Sequence, residues 1–295
     1  MSMQAELELF QVEFNQALAE TLNQQLPAQI APKLQQAMLY SVSNGGKRLR
    51  PFLIHLMAKT LDINTQSTLP AAIALECIHS YSLVHDDLPA MDDDDLRRGK
   101  PTCHIEFDEA TAILAGDALQ TFAFELLANA DMSANIKINW VKTLSLSAGY
   151  KGMCGGQSLD LEAENKAVNL TELETIHGLK TGALLKAAVS LACAAKPDLA
   201  AEQTQKFEKF AELIGLAFQI QDDILDITST TDLLGKPQGS DQKHNKSTYP
   251  NLLGLCGAQQ KAEQVFQSAL EQIQDLPYNT QSLMDFAQFI IKRQH

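Results

Sequence analysis

Apolar residues recur at helical spacing along almost the whole chain. Leu7, Phe10, Phe14, Leu18 and Leu22 fall three and four apart, which predicts an amphipathic helix over 4–24 that ends before Pro27. A second helix is predicted over 31–43, where Asn44-Gly45-Gly46 stops it, and a third over 52–60, where Pro51 opens the first turn. Residues 70–87 form a long apolar helix that Pro89 breaks off. Further helices are expected at 106–130, 134–151, 171–195, 201–227, 258–273 and 280–292. Segments such as 70–87 and 183–195 are apolar nearly all round and belong at the centre of a large bundle. Sustained apolar/polar alternation, Gly- or Ser-rich linkers and internal repeats are missing. The pattern predicts an all-α chain, a single large helical bundle forming one domain over 1–295. One stretch departs from it. Residues 228–250 hold turn residues and three lysines, and loops this long inside compact domains are functional or disordered. A mobile basic flap is expected there.

Composition narrows the function. Hydrophobic residues are 45% of the chain and charged residues 20%, ordinary for a soluble globular protein with a sizeable core. The net charge of −13 argues against nucleic acid as a partner. Any phosphate-bearing ligand must be held by local arginines, lysines and metal ions. The five cysteines are scattered, with no CxxC pair, which fits reduced thiols in a cytoplasm. Glu6, Glu8, Glu13 and Glu20 come before the first basic residue, Lys33, against a signal or transit peptide. No uncharged apolar run reaches the roughly 18 residues of a membrane span.

Two acidic clusters change the picture. Asp86, Asp87, Asp92, Asp93, Asp94 and Asp95 place six carboxylates within ten residues, with Arg97 and Arg98 directly behind. Such a run has two readings: a solvated acidic loop, or carboxylates kept together by cations. The second cluster, Asp222, Asp223 and Asp226, lies among Phe218, Ile220, Ile224, Leu225 and Ile227. Carboxylates in an apolar helix are costly to bury unless something pairs with them. Asp222 and Asp226 are four apart and share one helical face. Hard oxygen ligands of this kind suit Mg²⁺, which completes its shell with water and phosphate oxygens. The expectation is two acidic lips on a central cavity, holding metal-bound diphosphate. Gly45-Gly46-Lys47-Arg48-Leu49-Arg50-Pro51 adds a basic triplet after a glycine turn at a helix start, suited to phosphate but equally to a solvated turn.

Taken together, that basic motif, Asp86-Asp87-x4-Asp92 with Arg97-Arg98-Gly99, Gly116-Asp117, Lys180-Thr181-Gly182, Gln219-x2-Asp222-Asp223-x2-Asp226, Gly235-Lys236 and Lys246-Ser247-Thr248-Tyr249-Pro250 resemble the trans-isoprenyl diphosphate synthases. Within that family the likeness is greatest to the bacterial farnesyl diphosphate synthases, and it runs from about residue 40 to the C-terminus.

The resemblance implies an isoprenoid synthase-type bundle, a homodimer formed through helices in the 100–150 region, and a condensation of isopentenyl diphosphate with an allylic diphosphate. Asp86, Asp92 and Asp222 would be the principal ligands of three Mg²⁺, with Mn²⁺ as a substitute, and Asp87, Asp223 and Asp226 would stand beside them. Gly46, Lys47, Arg50, His79 and Arg98 would hold isopentenyl diphosphate. Arg97, Lys180, Lys236 and Lys246 would hold the allylic diphosphate. Lys180, Thr181 and Gln219 would turn oxygens toward the allylic cation, and closure of the 228–250 flap would exclude water. Plainer readings stand beside these. His79 in an apolar helix reads as a core histidine, and Gln219 and Thr181 as helix caps or bridges. Asp93, Asp94 and Asp95 read as solvated or arginine-paired, Asp117 as a structural hydrogen-bonder, and His104 with Glu106 is poor support for zinc. Nothing decides a role for Arg293.

In the synthases it resembles, product length is set by an aromatic residue upstream of the first motif. Here Tyr81, with Ser82 next to it, sits five residues before Asp86, and the Leu88-Pro89-Ala90-Met91 gap carries two extra residues. Both point to a fifteen-carbon product. The rivals are a geranylgeranyl or longer-chain synthase, a terpene cyclase, and a catalytically silent regulatory subunit. The intact second Asp motif and the paired basic sites speak against the last two.

Overall fold

Several helices in this chain begin where a side chain caps the first turn or a proline opens it. Ser2 Oγ accepts the Ala5 N–H at the start of α1 (Met3–Gln25), and prolines open α2 (Pro32–Ser43) and α4 (Leu69–Asp86). Between these lies α3 (Leu49–Thr60). A small hairpin, β1 (Leu96–Arg97) with β2 (Lys100–Pro101), and the single turn α5 (Cys103–Glu106) lead to α6 (Glu109–Asn129). Asp108 caps α6 through Thr111 N–H at 2.7 Å and pairs with Lys33, which holds its carboxyl down at about 2. Then follow α7 (Ala134–Ala148), α8 (Met153–Ala163), α9 (Leu170–His177), a π-helical turn over Gly178–Gly182, α10 (Ala183–Ala194), α11 (Ala201–Thr228), α12 (Tyr249–Ile273) and α13 (Gln281–Lys292). This is a computed structural model, and it describes residues 2–164, 166–228 and 247–292.

The chain divides into two compact units, one drawn from Met1–His55 and Thr65–Val141, the other from Leu56–Asn64 and Lys142–His295. In the first, α4 packs along α6 and is buried on nearly every side, from Ala71 to Val84. By length and composition α6 would reach across a membrane, yet Ala112, Ala115, Leu119, Phe122, Ala123, Leu126 and Leu127 are packed inside the protein. In the second, α11 packs along α12, around a core of Leu173, Ala217, Ile220, Ile224, Tyr249, Ala258, Ala262 and Val265.

The all-α class is as expected, and four local features are not. Residues 153–163, for which no helix was expected, are helical, with Gly156 at a close packing contact. The predicted 171–195 helix is interrupted by the π turn at 178–182. Residues 249–257 are helical, with Pro250 tolerated in the first turn and Gly254, at φ 72°, breaking the helical path. The β1–β2 hairpin turns on Arg98 and Gly99, both at positive φ (55° and 76°), as a two-residue hairpin requires.

Candidate active site

In the first unit the acidic loop grows out of the end of α4. Asp86 is the last helical residue, and the Asp87 N–H still reaches the Leu83 carbonyl at 3.1 Å. Pro89 blocks another turn, and the chain doubles back. The Met91 N–H bonds to Leu88 O at 2.8 Å, and the Asp92 N–H to Asp86 O at 2.9 Å. That second bond closes the Leu-Pro-Ala-Met insertion into a loop and returns Asp92 to Asp86. Asp93, Asp94 and Asp95 are exposed. Among the described residues, no group of three or more carboxylate, imidazole or thiol side chains is arranged as a metal cage. One or two neighbouring carboxylates, such as Asp86 and Asp92, fit the way Mg²⁺ is held together with a phosphate ligand.

Asp87 has a different part. It is 3% exposed, and Arg97 Nε lies 2.7 and 2.9 Å from its two oxygens while Arg97 Nη2 bonds one of them as well. Burial pushes the Asp87 carboxyl up, against the pull of Arg97. Arg97 also lies 3.7 Å from Asp94, so it offsets part of the charge of the acidic loop.

The basic motif packs into the same unit. Gly45 and Gly46 both take positive φ, and Arg98 donates to the Gly45 carbonyl, where a Cβ on Gly46 would overlap its guanidinium. Arg48, also at positive φ (51°), points inward. It pairs with Glu76 and bonds Asn15 Oδ1 at 2.9 Å and the Val42 carbonyl, and both charged side chains are almost fully buried. Gln11 Nε2 holds the Lys47 carbonyl at 2.9 Å. The strained turn is thus fastened from beneath, leaving Lys47 exposed and Arg50 half-buried. His79 is held well below the usual histidine range by burial and then by the charges of Arg50, Arg98, Arg48 and Arg97. Arg48 and Arg97 are committed to Glu76 and Asp87, so Arg50 and Arg98 are the arginines here whose charge suits an anionic ligand.

Tyr81 is 5% exposed, its ring edge-on to His85 with centroids 5.8 Å apart. Ser82 Oγ donates to the His79 carbonyl of its own helix at 2.8 Å. His85 Nε2 lies 3.0 Å from the Ile113 carbonyl and 4.0 Å from Asp117, over Gly116, where a Cβ would meet the ring. Gly116-Asp117 therefore seats His85 on α6. His104 meets the Thr102 hydroxyl at 3.2 Å.

In the second unit, Asp222 is exposed on α11, with Gln219 Nε2 3.4 Å away, while Asp226, one turn on, is 3% exposed. Asp223 is 6% exposed and accepts the Tyr249 N–H at 2.9 Å. Lys180 and Thr181 ride on the π turn, and Lys180 Nζ reaches Asp160 at 2.7 Å. The turn is wedged between two glycines. A Cβ on Gly156 would stand 2.7 Å from Leu179 C, and one on Gly215 would stand 3.1 Å from Gly182 Cα. Gln157 beside it has a buried amide with no partner for nitrogen or oxygen among the described residues.

Lys236, Lys246, Arg293 and nearly all of the expected flap lie outside the described residues. The sequence placed Arg48 in the basic triplet suited to phosphate, whereas it is turned inward onto Glu76, and it assigned nothing to Glu76, Gly156, Gln157 or Asp160. A Gly-Gly-Gln-x2-Asp run at 155–160 was the available signal for the last three. The Arg48–Glu76 pair had none, since its partners are 28 residues apart.

A family model described as polyprenyl synthetase matches residues 31–285 of the chain. The farnesyl diphosphate synthase of Haemophilus influenzae is 50% identical over 98% of this chain and 97% of its own. A geranylgeranyl diphosphate synthase of Cyanophora paradoxa is 41% identical over 95% and 94%. Among solved structures, a geranyltransferase of Helicobacter pylori, complexed with magnesium and isoprenyl diphosphate, superposes with a TM-score of 0.82 at 34% identity, covering 96% of this chain and 95% of that one.

Proposed function

The chain belongs to the polyprenyl synthetase family, and on that premise we propose that it makes (E,E)-farnesyl diphosphate by adding isopentenyl diphosphate first to dimethylallyl and then to geranyl diphosphate. Asp86, Asp92 and Asp222 would hold three Mg²⁺, or Mn²⁺ in their place, at the allylic diphosphate, with Asp87, Asp223 and Asp226 in support. When bound, the metal supplies Lewis acidity to the leaving diphosphate and a template for its position. The carbon–oxygen bond breaks with its electron pair leaving on the diphosphate. The double bond of isopentenyl diphosphate attacks the allylic cation, and the released diphosphate takes the proton that is then lost. Gly46, Lys47, Arg50, His79 and Arg98 hold isopentenyl diphosphate. Arg97, Lys180, Lys236 and Lys246 serve the allylic diphosphate, Arg97 through its hold on Asp87. Lys180, Thr181 and Gln219 stabilise the cation through fixed dipoles.

The observation that carries this reading is an Asp-Asp pair in each unit with its second carboxylate fastened, by Arg97 in one and by the Tyr249 N–H in the other, in a chain 50% identical to a farnesyl diphosphate synthase. Residues 1–295 act as one polyprenyl synthetase domain, in the cytoplasm, as a homodimer. Ile113, Leu114 and Ile138 are large exposed apolar residues within the 100–150 region and support such an interface. The five free cysteines support the compartment.

The test is a product assay with Mg²⁺, isopentenyl diphosphate and dimethylallyl diphosphate, separated by chain length. A fifteen-carbon diphosphate that vanishes with chelator is the expected result. The Cyanophora relative favours a twenty-carbon product as the second reading. Buried Tyr81 favours fifteen, and Tyr81→Ala is expected to lengthen the product; a variant that still stops at fifteen carbons places the floor elsewhere.

A further inference from the structure

Tyr249 opens α12 and is completely buried, yet its hydroxyl has no hydrogen-bond partner among the described residues. Its other contacts run in two directions. The backbone N–H donates to Asp223 Oδ2 at 2.9 Å, inside the protein. The ring stacks on His177, centroids 5.8 Å apart and planes 21° from parallel. Asp223 is the middle aspartate of the second acidic motif. His177 is the last residue of α9, directly before the π turn that carries Lys180 and Thr181. Thr248 caps the same helix start by accepting the Asn251 N–H, and Pro250 stiffens it. Tyr249 therefore touches both the aspartate motif and the approach to the Lys-Thr turn.

We infer that Tyr249 is a positioning residue: with Asp223 and His177 it forms a strut that holds the second acidic motif and the Lys180–Thr181 turn in register. Asp223 works in it as a hydrogen-bond acceptor for the Tyr249 backbone. The turn has need of such support, because π geometry is marginal and is kept only where its surroundings over-determine it. A shift of about 1 Å in a positioning element costs on the order of 100-fold in rate. The consequence for catalysis rests on the prenyl-transfer reading; the structural coupling does not.

The experiment uses the full chain and two readouts. Amide hydrogen exchange on metal-free protein is followed at 178–182 and at Tyr249 in Asp223→Ala, Tyr249→Leu and Tyr249→Phe. Asp223→Ala and Tyr249→Leu are expected to speed exchange in 178–182, and Tyr249→Phe, which keeps ring and N–H, to restore protection. An Asp223→Ala effect confined to Tyr249 would overturn the strut. In steady-state kinetics Tyr249→Leu is expected to lower kcat about tenfold to 100-fold with KM for isopentenyl diphosphate within about twofold, and Tyr249→Phe to recover kcat. Losses that merely follow the folded fraction would leave Tyr249 as core filling and overturn its positioning role. Should Tyr249→Leu not fold, His177→Leu removes the same stacking contact from the other side, with the same two expected results. A wild type that condenses nothing defeats the prenyl-transfer reading, while the exchange data still decide the strut.

Discussion

The two acidic motifs use the same residue type in different frames. The first follows a helix: Asp86 closes α4, the loop turning at Pro89 returns Asp92 to it, and Asp87 is gripped by Arg97. The second lies within a helix, where the pitch of α11 spaces Asp222 and Asp226, and Asp223 is gripped by a backbone N–H. In each adjacent Asp-Asp pair the second aspartate is buried, at 3% and 6% exposed, and the first is the more open. An Asp-Asp pair is thus two jobs side by side. One carboxylate stays open to solvent, and its neighbour fastens the next segment of chain. What differs is the fastener, a formal charge in one motif and a neutral donor in the other.

The largest effects should come from the open carboxylates. Asp86→Ala and Asp222→Ala are each expected to lower kcat at least about 1000-fold, roughly 4 kcal/mol of barrier, with melting temperature little changed. A variant retaining a tenth of wild-type kcat would take its aspartate out of the metal site and break the parallel between the motifs. Next come the fasteners, read by urea unfolding. Asp87→Asn leaves Arg97 against a neutral, buried partner. Because Arg97 is 28% exposed, the loss should be about 2–3 kcal/mol, below that of a fully buried broken pair. Asp223→Asn keeps an acceptor for the Tyr249 N–H and should cost less than about 1 kcal/mol. Equal losses would mean that charge fastens both motifs.

Gly156→Ala probes the ground beside the second motif. A Cβ there meets backbone of the π turn, not a side chain that can swing away. The expected cost is about 1–3 kcal/mol in stability, with kcat down about tenfold, measured beside Gly215→Ala, where the contact is looser. An equal fall in both variants would remove the special role of Gly156.

Much of this was readable in the sequence because it is local. Helical spacing marked the amphipathic face of α1, proline and glycine marked most boundaries, and the aspartate and arginine runs marked both halves of the chemistry. What escaped depends on residues that meet only after folding. Nothing in the sequence tells that Gly156 must stay small because Lys180 backbone lies against it. Arg48 looks like a third phosphate ligand until Glu76 closes over it. The identity of Asp87 and Asp223 as anchors is invisible in the motif, since the spacing is the same whether an aspartate faces metal or Tyr249.

The smallest effect separates the motifs by pH. His79 lies seven residues before Asp86 on α4, whereas α11 holds no histidine. Burial and the charges of Arg50, Arg98, Arg48 and Arg97 place its folded pKa well below the 6.5 of an exposed imidazole. Between those two values the unfolded chain binds more protons than the folded one. Stability therefore falls as pH drops below about 6.5, by at most about 1.4 kcal/mol per unit, and is untouched by this group above it. His79→Gln, which cannot take up the proton, should flatten that slope in urea unfolding between pH 7.5 and 5.5. A slope that survives the substitution would assign the acid sensitivity to the carboxylates. The imidazole beside the first motif would then be charged in the folded protein, adding a fifth cation to the four arginines.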